Sequence, residues 1–290
     1  MAADTNSADT NSADTTRADA DAAPTARTAT GRPSGNARAV LIYVESRWVW
    51  YRRNWRATAV SAFVLPVLFL LSMGFGLGSQ IAPDQLPGGL TYPQFLAPAL
   101  LVVMGLQAVV NESTYQVIDV FKWSKRHHAV VASPITPAQV FLGTMLWNAL
   151  LVLMAGAFFL VSATLFEALT TPAAALAVPV SVLTSTAYSA PITAFSATRD
   201  KADSFSTVFR LIVMPMTLFT GAFFPVEQLP DWLLPLVWIA PTWHGVELAR
   251  GAAFGGLGAL AALGHVAFLV AVLAVGTLIG TRVYRRRLVP

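Results

Sequence analysis

Residues 260–287 read LAALGHVAFLVAVLAVGTLIGTRVYRRR. From Leu260 to Thr281 the only ionisable side chain is His265. At 1.5 Å per residue a helix of this length crosses a hydrocarbon core of about 30 Å. Arg282, Arg285, Arg286 and Arg287 follow at once. An apolar run closed by arginines reads as a membrane span whose last turn stays on the side where cations are retained.

Five further apolar blocks precede it, at 57–78, 93–111, 140–165, 173–197 and 207–224. Pro66, Pro98, Pro179, Pro191 and Pro215 fall inside them, which a membrane bundle tolerates because neighbouring helices re-satisfy the freed carbonyls. A seventh stretch, 230–245, is broken by Pro230, Pro235 and Pro241 and carries Asp231, too interrupted to cross. The composition agrees: 55% of the 290 residues are hydrophobic and 12% charged. That is about half the charge of a soluble domain, which excludes an ordinary cytosolic enzyme. The absence of cysteine excludes disulfides, cysteine-ligated metals and thiol catalysis.

Charge sets the topology. Of the 19 lysines and arginines, eight precede the first block, from Arg17 to Arg56. Lys122, Lys125 and Arg126 lie between blocks two and three, and Arg199, Lys201 and Arg210 around the loop between four and five. With the four arginines after block six, only Arg250 remains for the other side. Six spans with both termini in the cytoplasm satisfy the positive-inside rule, and one span more or fewer would scramble it. The basic pI of 9.7 is therefore mostly orientation charge in a membrane, not a nucleic-acid surface.

Residues 1–37 are polar, with DTNSA twice in tandem from Asp4 to Ala13, and read as a disordered low-complexity tail with no apolar signal region. Residues 38–56, RAVLIYVESRWVWYRRNWR, place Val40, Val44, Trp48, Tyr51 and Trp55 on one helical face and Glu45, Arg52, Arg53 and Arg56 on another. Tryptophan and tyrosine beside arginine suit an amphipathic helix in the headgroup plane.

Several chemistries are missing. No Gly-Lys-Ser/Thr phosphate loop occurs, nor an HExxH or G-x-S-x-G motif. Within the spans Glu112, Arg210 and His265 lie only near helix ends. A transporter without an internal charge relay or an ATP site must draw energy from a partner. Two other classes stay open. An ion-gradient carrier or channel needs an intramembrane charge. A membrane-embedded enzyme or assembly subunit needs a polar cluster, for which His244, Glu247 and Arg250 are the candidates.

Two segments look built for more than crossing. The loop 112–139, ESTYQVIDVFKWSKRHHAVVASPITPAQ, sets Val120, Phe121 and Trp123 among Lys122, Lys125 and Arg126, a pattern suited to docking a soluble protein. The external stretch 221–256 holds Gly221-Ala-Phe-Phe224-Pro225, Leu229-Pro230-Asp-Trp232 and Pro241-Thr-Trp-His244-Gly-Val-Glu247-Leu-Ala-Arg250. Short proline-bounded helices there would re-enter the outer leaflet, with Glu247 and Arg250 paired at i, i+3.

The Gly-Ala-Phe-Phe-Pro run, the following Leu-Pro, and Pro-Thr-Trp-His with an arginine six residues later resemble the mark of ABC-transporter type-2 permeases. Ser133-Pro134-Ile-Thr136 with Leu142-Gly143 is similar to the Thr-Pro and Leu-Gly pattern of that family. Gly74-Phe-Gly-Leu-Gly78 and Tyr92-Pro-Gln-Phe-Leu96 resemble its lipo-oligosaccharide (nodulation-factor) and daunorubicin-resistance branches. The resemblance covers about residues 40–290. It implies an all-α membrane domain over 38–290 with six transmembrane helices, an interface helix at 38–56, a coupling helix in 112–139 and a re-entrant segment at 225–250. It further implies a homodimer or a pair with a sister permease, docked through Phe121, Lys122, Trp123 and Arg126 on cytosolic ATP-binding-cassette subunits. ATP and Mg would bind those subunits and nothing would bind this chain as cofactor. The cargo would be a drug, glycolipid or polyketide lipid. One departure is visible: many members carry a Glu-rich, Gly-Thr run in the coupling loop, where this chain has Ser-Lys-Arg-His-His.

Overall fold

The computed structural model describes residues 35–81, 86, 89–169, 171–201, 205–206 and 209–289, so nearly all of the expected tail lies outside the described residues. Helix α1 runs Asn36–Phe69. It continues into wide π turns at Leu70–Gly76 and a 3-10 turn at Leu77–Gln80. The expected boundary near 56 is absent: no glycine or proline stands between Asn36 and Leu65, so nothing ends the helix there. The amphipathic stretch and the start of the first apolar block are one 34-residue helix.

Helix α2, Tyr92–Ser113, opens on a capping box in which Gln94 accepts from the Thr91 amide at 3.0 Å. A short helix α3, Tyr115–Ile118, passes into a π turn, Asp119–Trp123. Lys125, with φ of 47°, turns the corner into α4, Arg126–Val131. Helix α5, Pro137–Leu165, begins with a second capping box, Thr136 and Gln139. A 3-10 turn, Pro172–Leu176, leads into α6, Ala177–Ser196.

The π turn Phe209–Val213 runs into α7, Met214–Phe219. Helices α8, Leu234–Ile239, and α9, Pro241–Phe254, each carry a proline in the first turn, where its missing N–H costs no helical bond. Helix α10, Ala259–Leu288, completes the fold, and no strand occurs among the described residues.

Four of these helical stretches are long and apolar enough to cross a membrane: Tyr92–Trp123, Pro137–Leu165, Pro172–Ser196 and Ala259–Leu288. They coincide with four of the six apolar blocks. Of the 207–224 block, Phe209–Phe219 forms a shorter apolar helix.

The centre of the bundle is α6, which packs against α2, α5, α9 and α10. Each neighbour presents a glycine to it. A Cβ on Gly105 of α2 would overlap Ser181, and one on Gly245 of α9 would overlap Thr184. On Gly156 of α5 it would stand 3.3 Å from Val178, and on Gly276 of α10 2.7 Å from Pro191. Small residues let backbones approach where lipid leaves no hydrophobic drive between helices, so packing and interhelical hydrogen bonds hold the bundle. Two such bonds reach the centre: Ser181 Oγ donates to Leu101 O at 2.9 Å, and Asn148 Nδ2 to Ser189 Oγ at 3.2 Å. Gly280, one turn beyond Gly276, admits the ring of Phe141. The Gly276-x-x-x-Gly280 motif thus works inside the fold.

The helices alternate in direction. Arg47 meets Glu112, Lys122 meets Asp200, and Arg287 meets Ala197, so the basic residues of several segments gather at one end. At the far end Tyr92 meets Phe223 and Arg250 meets Phe95. The charge asymmetry of the sequence is therefore an asymmetry of the two ends of the bundle.

Candidate functional site

At the basic end the segment 114–131 folds back against the helix termini. Phe121 is 6% exposed. Its ring meets His127 and Tyr284 edge-on, each at 5.0 Å between centroids, with the Arg287 guanidinium 5.5 Å away. Tyr284 packs in turn on Phe141 at 5.1 Å. Phe121 is accordingly an anchor: of the four residues expected to face a partner, it faces inward. Lys122, Trp123 and Arg126 are exposed, Trp123 by 63%. The two residues stand two positions apart on one helical turn and so lie on opposite sides of it, Trp123 outward and Phe121 inward.

Helix α1 is tied to the same place. The Tyr43 hydroxyl hydrogen-bonds Nε2 of His127 at 3.1 Å and accepts from Thr144 Oγ1 at 3.3 Å. A Cβ on Gly143 would stand 2.6 Å from the Tyr43 ring, so glycine at the Leu142-Gly143 pair makes room for this tyrosine. Arg47, 8% exposed, forms an ion pair with Glu112 at the end of α2. Burial, with Arg47 and Arg126 nearby, holds the His127 imidazole down to about 3, so it is neutral. Sequence reasoning passes over Tyr43, Arg47, Asp200 and Arg287, whose partners lie from 65 to 101 residues away.

At the far end Arg250 fixes the cap. Its Nη2 donates to Gly221 O at 2.6 Å and its Nε to Phe95 O at 3.3 Å, with the guanidinium 3.7 Å from the Phe95 ring centroid. The expected Glu247–Arg250 pair is present but long, at 4.0 Å. Burial lowers the Arg250 guanidinium to about 10, still charged at neutral pH. Gly221 adopts φ of 76°, and a Cβ there would meet Val226 at 2.5 Å, which accounts for the glycine that opens Gly-Ala-Phe-Phe-Pro. Phe224 and Pro225 are half-buried, Pro230 is exposed, and Pro241 starts α9 buried.

His244 joins three helices. Its Nε2 donates to Trp238 O at 2.9 Å, its Nδ1 lies 2.7 Å from Nδ1 of His265, and its ring stacks on Phe268 at 3.9 Å. His244 and Arg250 thus pack different elements together, and Glu247 pairs with Arg250 on its own helix at the edge of a cavity. Among the described residues no group of three or more metal-binding side chains converges.

Two cavities flank these regions. One of about 500 Å³ lies at the basic end, between Val110, Tyr115, Phe205, Phe209, Arg210 and Val213. The other, about 400 Å³ at the far end, is lined by Phe95, Pro225, Glu227, Glu247, Arg250 and Phe254.

A bundle of apolar helices with a basic loop at one end and a packed cap at the other is the build of a multi-pass membrane protein. Residues 38–254 match the model of the ABC-2 type transporter family, and the chain belongs to that family. It is similar to nodulation protein J of Sinorhizobium fredii, with 30% identity over 216 residues covering 71% of this chain and 81% of the relative. It is similar also to nodulation protein J of Rhizobium leguminosarum bv. viciae, 27% identical over 247 residues, covering 83% and 93%. Nodulation protein J of Rhizobium meliloti is 26% identical over 254 residues, covering 84% and 95%. Members of the family are in general non-catalytic transport subunits that associate with an ATP-binding-cassette component.

Proposed function

We propose that this chain is the permease subunit of an exporter that moves an amphipathic or lipid-like cargo across the bacterial cytoplasmic membrane. ATP and Mg bind a separate cassette subunit, and two permease copies, or one with a sister permease, form the path. The basic end faces the cytoplasm, in accord with the positive-inside rule. The layout has six spans, with α1 and the 207–224 block supplying the two beyond the four long helices. The Pro-bounded helices α8 and α9 form the outer re-entrant cap.

The observation that carries this reading is the exposed Trp123, flanked by Lys122 and Arg126 and two residues from the buried anchor Phe121. An aromatic knob on a braced loop can receive a push from a docked protein and pass it to the helix ends. The cavity at the basic end has an apolar wall and Arg210 at its rim, which suits a cargo with a fatty portion and a polar head better than a small ion.

The test is affinity capture of the tagged, detergent-extracted protein from its own cells, with mass spectrometry of what remains bound. A stoichiometric ATP-binding-cassette subunit is the expected result. Recovery of the chain alone, under conditions that keep control complexes whole, would turn the assignment toward a gradient-driven carrier.

A further inference from the structure

Helix α6 ends at Ser196, and the amides of Ala197, Thr198 and Arg199 close its last turn on the carbonyls of Thr193, Phe195 and Ser196. Arg287, in the last turn of α10, holds the carbonyls just beyond that turn. Its Nη1 donates to Ala197 O and, at 3.2 Å, to Arg199 O, while Nη2 pairs with the Asp200 carboxylate. From the other side Lys122 Nζ donates to Asp200 O at 2.8 Å. The same guanidinium lies 5.5 Å from the Phe121 ring. The loop 197–200 is therefore gripped twice, once by α10 and once by the segment that carries Trp123.

This grip has a mechanical meaning. Loop 197–200 is the direct continuation of α6, the helix against which α2, α5, α9 and α10 pack. A displacement of the 119–126 segment reaches α6 by two routes, through Lys122 on Asp200 and through Phe121 on Arg287. A guanidinium holds two carbonyls and a carboxylate with a rigid planar fork of five N–H donors, whereas an ammonium is a compact point charge on a flexible stem without that fixed geometry. Other cations of that last turn, Arg285 and Arg286, are exposed and make no such contact among the described residues.

We propose that Arg287 and Asp200 form a positioning junction that transmits movement of the docking loop to the central helix. The inference rests on the functional reading above, because it needs a cassette subunit to supply the movement.

The chain's lack of cysteine makes the test clean. The complex of this chain with its co-purifying cassette subunit is placed in vesicles of phosphatidylethanolamine and phosphatidylglycerol. A single cysteine, Glu227→Cys at the far-end cavity, is reacted with a membrane-impermeant maleimide with and without ATP and Mg. In the otherwise native chain the labelling rate is expected to change with nucleotide. In Arg287→Lys and Asp200→Asn that change should fall at least fivefold, while subunit recovery and ATP hydrolysis stay within about twofold of native. Asp200→Glu, which keeps a carboxylate, should restore most of it. A merely structural role would lower recovery and hydrolysis together, and that result would overturn the proposal. So would an undiminished nucleotide response in both variants. Failure of any cassette subunit to co-purify would instead remove the functional reading, and the junction's role with it.

Discussion

The Tyr43 hydroxyl stands 3.1 Å from Nε2 of His127, across 84 residues of chain. The imidazole is buried and neutral, and the phenol is the partner of its Nε2. Tyr43→Phe leaves that nitrogen dry and unpaired, at a cost of about 1–3 kcal/mol. The midpoint of thermal unfolding in detergent should fall accordingly. An unchanged midpoint would show that α1 is held to the 114–131 segment by other means.

His127 also makes stability depend on acid. The unfolded chain binds a proton on this imidazole below about 6.5, and the folded chain only near 3. Between those values the unfolded state holds more protons, so stability falls as pH drops and is unaffected well above 6.5. The loss approaches about 1.4 kcal/mol per pH unit and reaches about 2 kcal/mol at pH 5. Chemical unfolding followed at pH 7.5 and pH 5 measures it, and His127→Gln should flatten the difference by that amount.

Phe121 and Trp123, two residues apart, are expected to respond oppositely. Phe121→Ala opens a void among His127, Tyr284 and Arg287 and should destabilise the chain by about 3–5 kcal/mol. Trp123→Ala removes an exposed ring, which should leave the unfolding midpoint within about a degree of native. Its effect should be on the cassette subunit, with affinity weakened roughly tenfold or more if it is a central contact. Titration of the purified subunit in nanodiscs separates the two. Equal loss of stability in both variants would contradict the division.

Glycines of α10 divide in the same way. Gly276→Val drives a branched side chain into Pro191 and Ala190 and should cost about 1–3 kcal/mol or prevent folding outright. A Cβ on Gly264 would meet nothing within 4 Å. Gly264→Ala should therefore be neutral or raise stability by up to about 1 kcal/mol through helix propensity. Folded yield and unfolding midpoint report both.

Much of the architecture is legible as hydropathy. Blocks 93–111, 140–165, 173–197 and 260–281 are long helices because each is apolar over more than 18 residues. The Gly-Ala-Phe-Phe-Pro and Pro-Thr-Trp-His runs are readable because a positive φ and a helix's first turn demand those residue types locally. The continuity of α1 is lost when composition, which changes near residue 56, is weighed over the absence of any helix breaker. Phe121 groups with its neighbours in the sequence because composition marks a segment of aromatic and basic residues without saying which of its side chains turns inward. The Arg287–Asp200 and Arg47–Glu112 pairs are invisible there, since a single sequence carries no signal for contacts 87 and 65 residues apart.

The centrality of α6 bears on how the protein is made. It is the least apolar of the four long helices, with Ser181, Thr184, Ser185, Thr186, Ser189 and Thr193 all buried. Such a segment gains little by meeting lipid alone. It leaves the ribosome after α2 and α5, whose Gly105 and Gly156 are the notches that receive it. Helix α10, the most apolar and the least enclosed, is synthesised last and can enter the bilayer unaided. Birth order along the chain thus supplies hosts before the guest that needs them.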